Sequence, residues 1–333
     1  ELHSYLFNKP FSEAHNATAD VEATTRCFFE LIRTGVFTKK ELEVEQEYFE
    51  DFQLKNPREI QLIGLQHINL KEASDKIRQQ LGGQQATGIS KQELSDNKQI
   101  LVDTKFAHLH NHTQFSVLQS TIAIGALVSA TAKNKFPAVA MTDTGNMMGA
   151  FHFVSAVMNH NKAASTKNKS LVESGEEPTE TEIKPIVGCE FNICDNHFDK
   201  TKKDNGYQVV LLAKNKKGYH NLAKMASIAY TEGFYYVPRI DRLIVEKYKE
   251  DIMVLSGNLY GEIQSKILNV GENQAEEALI WWKQQFGADF YLEVMRHKQE
   301  DEIRVNQTLI AFAKKHQVKL VATNNAYYVN KED

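Results

Sequence analysis

The sequence predicts an α/β protein whose main domain is a barrel of repeated βα units, and three observations carry that prediction. From about residue 105, short apolar or β-branched runs alternate with amphipathic stretches, which is how repeated βα units read along a chain. The runs are almost continuously apolar, so both faces of their sheet should be covered, which favours a parallel barrel or a doubly wound sheet over an antiparallel one. His112, Asp143, Glu190, Asn258, His297 and Asn325 stand at or just beyond the C-terminal ends of successive runs, where a barrel collects its chemistry at one mouth.

Taken in order, "AHNATADVEATTRCFFELIR" carries apolar residues at Val21, Phe28, Leu31 and Ile32 and predicts a helix, with His15 on the turn leading into it. Residues 38 to 81, with "TKKELEVEQEYFEDFQ" and "KEASDKIRQQL", read as connecting helices whose charges form a solvated face. "GGQQATGISKQELSDNKQ" (82 to 99) reads as a linker and places the domain boundary there. The strand runs that follow are "KFAHLHNH", "PAVAMTD", "KPIVGCEFNI", "YQVVLLAKN", "DIMVLSGN", "ADFYLEVMRH" and "KLVATNN". Between them, apolar residues recur at helical spacing, as in Ile124, Leu127, Val128, in Ala150, Phe153, Val154, Val157, in Leu222, Met225, Ala226, Ala229, in Ala278, Leu279, Trp282 and in Val305, Leu309, Phe312. Residues 159 to 184 and 196 to 206 are polar, lack periodicity and are expected to be mobile loops.

A chain of 333 residues suits one large domain with attached pieces. No apolar run is long enough to cross a bilayer and no basic-then-apolar leader opens the chain, so a cytoplasmic location without membrane contact is expected. Net charge is -4, so any nucleic-acid contact must come from a local patch. Lys202, Lys203, Lys214, Lys216 and Lys217 are the candidates to line a DNA path. Cys27, Cys189 and Cys194 have no metal-type pair spacing and are expected to be buried, reduced thiols.

"FAHLHNHTQFSVL" sets His108, His110 and His112 at alternate positions. Residues two apart on a strand share a face, so His110 and His112 can offer imidazoles to one site, while His108 lies further back in a packing or supporting role. Together with "AVAMTDTGNMMGAFHF", "IKPIVGCEFNI", "VVLLAKNKKGYHNLAKMASIAYTEGFYYVPRIDRL", "IMVLSGNLYGEI" and "LVATNNAYYV", this block closely resembles the polymerase-and-histidinol-phosphatase (PHP) domain at the amino end of bacterial replicative DNA polymerase III alpha subunits. The resemblance runs from about Lys105 to the last residue, and "TEGFYYVPRID" is particular to the polymerase branch.

The resemblance implies a distorted (βα)7 barrel and, in active members, up to three metal ions that would position water against a phosphodiester. Matched residue by residue, the metal-ligand positions kept are His110, His112, Asp143, Glu190 and His297. Those replaced are Thr144, Gln208, Asn258, Asn325 and Tyr327. Loss of anionic and imidazole donors removes the charge needed to offset several dications. The implied role is a scaffold barrel with no metal or a weakly bound Zn²⁺ or Mn²⁺. The alternatives are an active metal-dependent phosphoesterase or 3'–5' exonuclease and, from a different class, a free-standing phosphomonoesterase.

The His-x-Ala-x-x-Asp at His15 and Asp20 resembles the third motif of DEDDh-type (epsilon-like) 3'–5' exonucleases. There the His is general base toward water and the Asp holds a catalytic Mg²⁺ or Mn²⁺. The partner motifs are missing upstream, so His15 and Asp20 are not expected to act alone. The organisation expected is residues 1–36 as the end of a fused exonuclease, 37–100 as connector and 101–333 as PHP domain of a longer exonuclease–polymerase fusion. Polymerisation itself would need palm carboxylates outside this sequence and Mg²⁺, and the sliding clamp and clamp loader are partners by resemblance alone.

Overall fold

The computed structural model describes residues 2–8, 17–61, 104–330 and 332–333. The chain divides into two compact units, Glu1–Gln99 and Ile100–Asp333. His15, the second connector stretch and the 82–99 linker lie outside the described residues.

In the first unit the described residues form helices α1 (Leu2–Phe7), α2 (Ala17–Arg33) and α3 (Gln46–Lys55). The predicted helix is α2, but of its marker positions only Ile32 is buried, while Val21 and Phe28 are exposed. Its polar residues tie the unit together. The Arg26 guanidinium lies 3.7 Å over the Phe7 ring and donates to the Ile60 carbonyl at 3.0 Å. Glu30, ion-paired with Arg33, accepts the Ile60 amide at 2.9 Å.

The second unit is a seven-stranded sheet rolled into a distorted barrel. Its strands are β1 (Ala138–Met141), β2 (Lys184–Cys194), β3 (Tyr207–Ala213), β4 (Arg239–Asp241), β5 (Ile252–Leu255), β6 (Phe290–Val294) and β7 (Lys319–Ala322). The order is β1-β2-β3-β5-β6-β7, with β4 pairing only the end of β2. "KFAHLHNH" is the stave that closes the barrel through isolated bridges, His108 to Val139 on one side and Asn111 to Ala326 on the other. The His112 amide donates to the Ala326 carbonyl at 2.9 Å, and the Thr142 amide to the Asn111 carbonyl at 2.9 Å.

The parallel arrangement read from the apolar runs holds for β1–β2, β5–β6 and β6–β7, but β3 runs antiparallel to both β2 and β5. The connection from β2 to β3 carries no helical apolar spacing, so the chain turns back as a hairpin instead of crossing over. β3 still reads as a continuous apolar run because both its faces are covered: Val209 and Leu211 pack on the helices, and Val210 and Leu212 inside the barrel. Strand apolarity reports two-sided burial and not direction.

Helices α4 (Ile124–Lys133), α5 (Ala150–Glu173), α6 (Lys216–Thr231), α7 (Arg242–Tyr248), α8 (Glu262–Asn269), α9 (Glu272–Phe286) and α10 (Glu300–His316) surround the sheet. The apolar positions expected to face it are buried, with Val154 of α5 the exception at half-buried. The loop expected over 159 to 184 is mostly helix: α5 runs to Glu173. Its polar residues are used structurally, since the Asn161 side chain pairs with the Ile183 backbone and the Asn168 side chain with Thr179 and Glu180. Amide side chains thus hold the returning chain where an apolar stripe is absent.

The other expected loop, 196 to 206, is irregular but anchored by fully buried Arg239 of β4, a strand the sequence reading missed. A Cβ on Gly233 would lie 1.9 Å from the Arg239 carbonyl oxygen, which explains the glycine in "TEGFYY". Three residues on, Tyr236 has φ 63°, a left-handed conformation that costs a tyrosine about 1–3 kcal/mol. All three cysteines are free and buried, as expected.

Candidate metal centre

The barrel interior has an apolar floor and a polar upper layer. Ala140, Val210, Leu212 and Leu255 pack at the floor with Met253, Tyr291 and Val321 against them. Above it, β2 presents Glu190, β6 presents Glu293, and the closing stave presents His110 and His112, all essentially excluded from solvent. Strand alternation puts Ile186, Gly188 and Glu190 on the inner face, and a Cβ at Gly188 would lie 2.5 Å from the Leu212 side chain. Glycine there lets β2 close on β3 directly beneath the acid.

His110 is held between two carboxylates. Its Nδ1 is 2.8 Å from Glu293 and its Nε2 is 3.1 Å from Glu190. Burial alone would lower its pKa, but Glu293 and Glu190 outweigh burial and raise it to about 10, which favours the protonated ring. Burial pushes the Glu190 carboxyl up, and the hydrogen bond from His110 and the charges of both histidines more than reverse this, so it stays below the usual carboxylate range. His112 goes the other way. Desolvation lowers its pKa and prevails over Glu190 and Asp143. Its Nε2 meets Asn325 Oδ1 at 2.9 Å, its Nδ1 lies 3.2 Å from both the Ser116 and Thr144 hydroxyls, and its ring stacks on Tyr327 at 4.2 Å. Tyr327 is pushed up to about 12 by burial and by the Glu190 charge.

His110, His112 and Glu190 offer ligand atoms that all lie within 4.8 Å of one another. Asp143 and His297 do not join them. The Asp143 carboxylate is occupied by the Thr113 amide (2.6 Å), the Thr113 hydroxyl (2.7 Å) and the Ser116 hydroxyl (2.7 Å), so it fixes the loop after the closing stave. His297 is part-exposed, with Nδ1 at 2.6 Å from Glu302 and Nε2 at 3.0 Å from the Asn324 carbonyl. The hydrogen bond to Glu302 raises its pKa.

Of the replaced positions, Thr144, Asn325 and Tyr327 contact His112, and Asn258 donates to Gln208 at 2.9 Å. Gln208, Asn258, Asn325, Tyr327 and His297 line a cleft of about 630 Å³. His108 packs edge-on to Phe106 and Phe136, away from the donors.

Glu293 escaped the sequence reading. It receives the Thr323 hydroxyl and the Gly257 amide (3.0 Å) besides His110. A lone carboxylate within the apolar strand "FYLEV" was the available signal, since a buried charge needs a partner. Its contact with His110 Nδ1 is how an outer carboxylate orients a metal-bound imidazole. The donors fit one divalent ion, held by His110, His112 and Glu190 with further positions open, which would supply Lewis-acid polarisation of a bound oxygen. They do not form the donor set of a cluster: the replaced positions are hydroxyls, amides and a phenol, Asp143 is hydrogen-bonded to Thr113 and Ser116, His297 to Glu302, and Glu293 lies behind His110.

Of the five lysines, the β3 register sets Lys214, Lys216 and Lys217 at the opposite end of that strand from Gln208, whereas Lys202 and Lys203 precede it. They do not form one surface. In the first unit Asp20 is exposed in the first turn of α2.

A family model described as the PHP domain matches residues 108–297. The DNA polymerase III subunit alpha of Borreliella burgdorferi is 37% identical over 234 residues, which cover 69% of this chain and 19% of that relative. The subunits of the same description from Aquifex aeolicus and Thermus aquaticus are 38% and 39% identical over 68% and 69% of this chain, and 19% and 18% of their own lengths. The chain thus spans less than a fifth of these curated relatives. Among the described residues no helix is long and apolar enough to cross a membrane.

Proposed function

The chain belongs to the PHP domain family, and on that premise we propose that its second unit is the PHP barrel of a replicative DNA polymerase alpha subunit, serving as a scaffold that binds at most one divalent ion weakly. The observation that carries this reading is the commitment of Asp143 to three donors of its own loop, which leaves Glu190 as the acid among the three converging donors, with Glu293 held behind His110 by the Gly257 amide and the Thr323 hydroxyl. A proton on His110 already neutralises part of the Glu190 and Glu293 charge, so an ion must displace it to bind.

The parent would carry the nucleotidyl-transfer chemistry with Mg²⁺, act on DNA in the cytoplasm and engage the sliding clamp and clamp loader. In this reading α2, with Asp20 in its first turn, ends a fused DEDDh exonuclease that supplies proofreading. A metal-dependent phosphoesterase is the second reading, favoured by the convergence of three donors at one place.

Elemental analysis of protein purified without chelator, before and after soaking in Zn²⁺ or Mn²⁺, separates the two. The scaffold reading expects no more than about one equivalent, removable by EDTA, with gain of tight binding when Asn325→Asp and Tyr327→His are combined. Two or more tightly held equivalents, lost with Glu190→Ala, would refute it and call for nuclease assays.

A further inference from the structure

Two loops outside the metal centre share a single anchor. Arg239 donates to the carbonyls of His197 (3.4 Å), Asp199 (3.0 Å), Asp204 (2.8 Å) and Gly233 (3.1 Å), so residues 196–206 and the turn after α6 are pinned around one guanidinium. Side chains beside those carbonyls turn to solvent: Phe198 is 63% exposed, Phe234 48% and Tyr236 64%. Tyr236 sits at the tip of a turn closed by the Tyr235 amide on the Val237 carbonyl (3.1 Å), in its left-handed conformation. The Tyr236 ring meets Tyr235 edge-on at 4.7 Å between ring centres and otherwise faces solvent.

The charges of the same loops are sorted. Asp199 accepts from the Thr201 amide and hydroxyl (2.9 and 2.6 Å), and Asp204 from the Asp195 and Gly206 amides (3.0 and 2.9 Å), so both acids of residues 196–206 are turned into the loop, while Glu232 at the end of α6 lies 4.0 Å from His197. Lys200, Lys202 and Lys203 are exposed and, among the described residues, make no ion pair within 4.0 Å, though the Asp199 pKa, lowered first by its Thr201 hydrogen bonds, is lowered further by the Lys202 charge. The Lys203 ammonium lies 5.3 Å from the Tyr236 ring centre. By contrast Lys214 is paired with Asp289 and Lys217 with Glu250.

We propose that this loop pair is a contact surface for single-stranded DNA, bases stacking on Tyr236 and Phe198 and phosphates meeting Lys202 and Lys203. Solvent-facing aromatic rings beside exposed ammonium groups are the combination that binds single strands without sequence preference. A protein partner is disfavoured because lysine is depleted where protein interfaces are fully buried. The surface deepens the polymerase reading, on which the choice of DNA rests. It lies outside the metal centre, so measuring binding in EDTA lets either proposal fail without the other.

The test is fluorescence anisotropy of a labelled oligothymidylate with the full 333-residue chain, titrated at several salt concentrations. Lys202→Ala with Lys203→Ala should weaken binding about tenfold at low salt and flatten the slope of log K against log salt by about 1.4, two phosphate contacts' worth for a single strand. Tyr236→Gly, which the left-handed backbone accommodates better than tyrosine, should weaken it about fivefold or more. Lys214→Ala with Lys217→Ala should change nothing. An unaltered melting curve for each variant keeps folding out of the comparison. No binding by the wild-type chain overturns the proposal. Equal losses for the two lysine pairs, or no effect of Tyr236→Gly, overturn it as well.

Discussion

Replacing His110 by alanine is expected to cost the barrel about 3–5 kcal/mol, the range for removing one partner of a buried ion pair. The ring is fully buried, and both its nitrogens face carboxylates, Glu293 at 2.8 Å and Glu190 at 3.1 Å. The distance from its ordinary value of 6.5 to about 10, at roughly 1.4 kcal/mol per unit, corresponds to the top of that range. Partial protonation of the stranded Glu190 carboxyl in the variant offsets some of it. For a barrel of this size each kcal/mol is worth about 2–4 °C, so the melting temperature should fall by about 6–20 °C.

The pH dependence follows from the direction of each shift. His110 has a folded pKa above its unfolded one, so its contribution is complete below about pH 6.5 and is lost as pH rises through about 10. Glu190 is lowered below 4.5, so its contribution is present above pH 4.5 and is lost as pH falls through its folded value. The gap between wild type and His110→Ala should therefore be widest near pH 5–7 and close toward pH 10. Thermal denaturation followed by circular dichroism in EDTA reads both quantities. A gap below about 1 kcal/mol at pH 7, or one that persists undiminished to pH 10, would show that His110 is not a cation clamped by two acids.

Three further outcomes are expected. Arg239→Met leaves up to four loop carbonyls without their donor and should destabilise by about 3 kcal/mol or more, with faster proteolysis within residues 196–206; unchanged cleavage there would refute the anchoring role. Gly233→Ala places a Cβ against the Arg239 carbonyl and should lower urea resistance by about 2–4 kcal/mol, whereas a loss near 0.5 kcal/mol would mean that the turn can yield. Burial, with the charges of Asp143 and Glu190, pushes the Cys189 thiol far up, so a thiol reagent at pH 8 should reach it only on unfolding; prompt reaction in the native state would contradict the burial.

Sequence by itself determined the class and the staves. The apolar runs from "KFAHLHNH" to "KLVATNN" are all parts of the barrel, and residues such as Leu222, Met225, Trp282 and Leu309 face its sheet, because burial on both strand faces and on one helix face leaves a periodic record along the chain. The sequence also carried the family, through blocks whose order and spacing persist. Strand direction left no such record: the hydrogen-bond partners of β3 are set by how the chain returns after Cys194, and both directions bury the same side chains. Polar positions were ambiguous for a related reason. A carboxylate that caps a loop and one that faces a cavity are the same letters, so only the folded chain could turn Asp143 toward Thr113 and Ser116, bring Glu293 against His110 from a distant strand, and separate Lys203 beside Tyr236 from Lys214 beside Asp289. Periodicity reports which side of an element is buried, whereas a partner far along the chain is fixed only when tertiary packing closes the distance and removes the competing water.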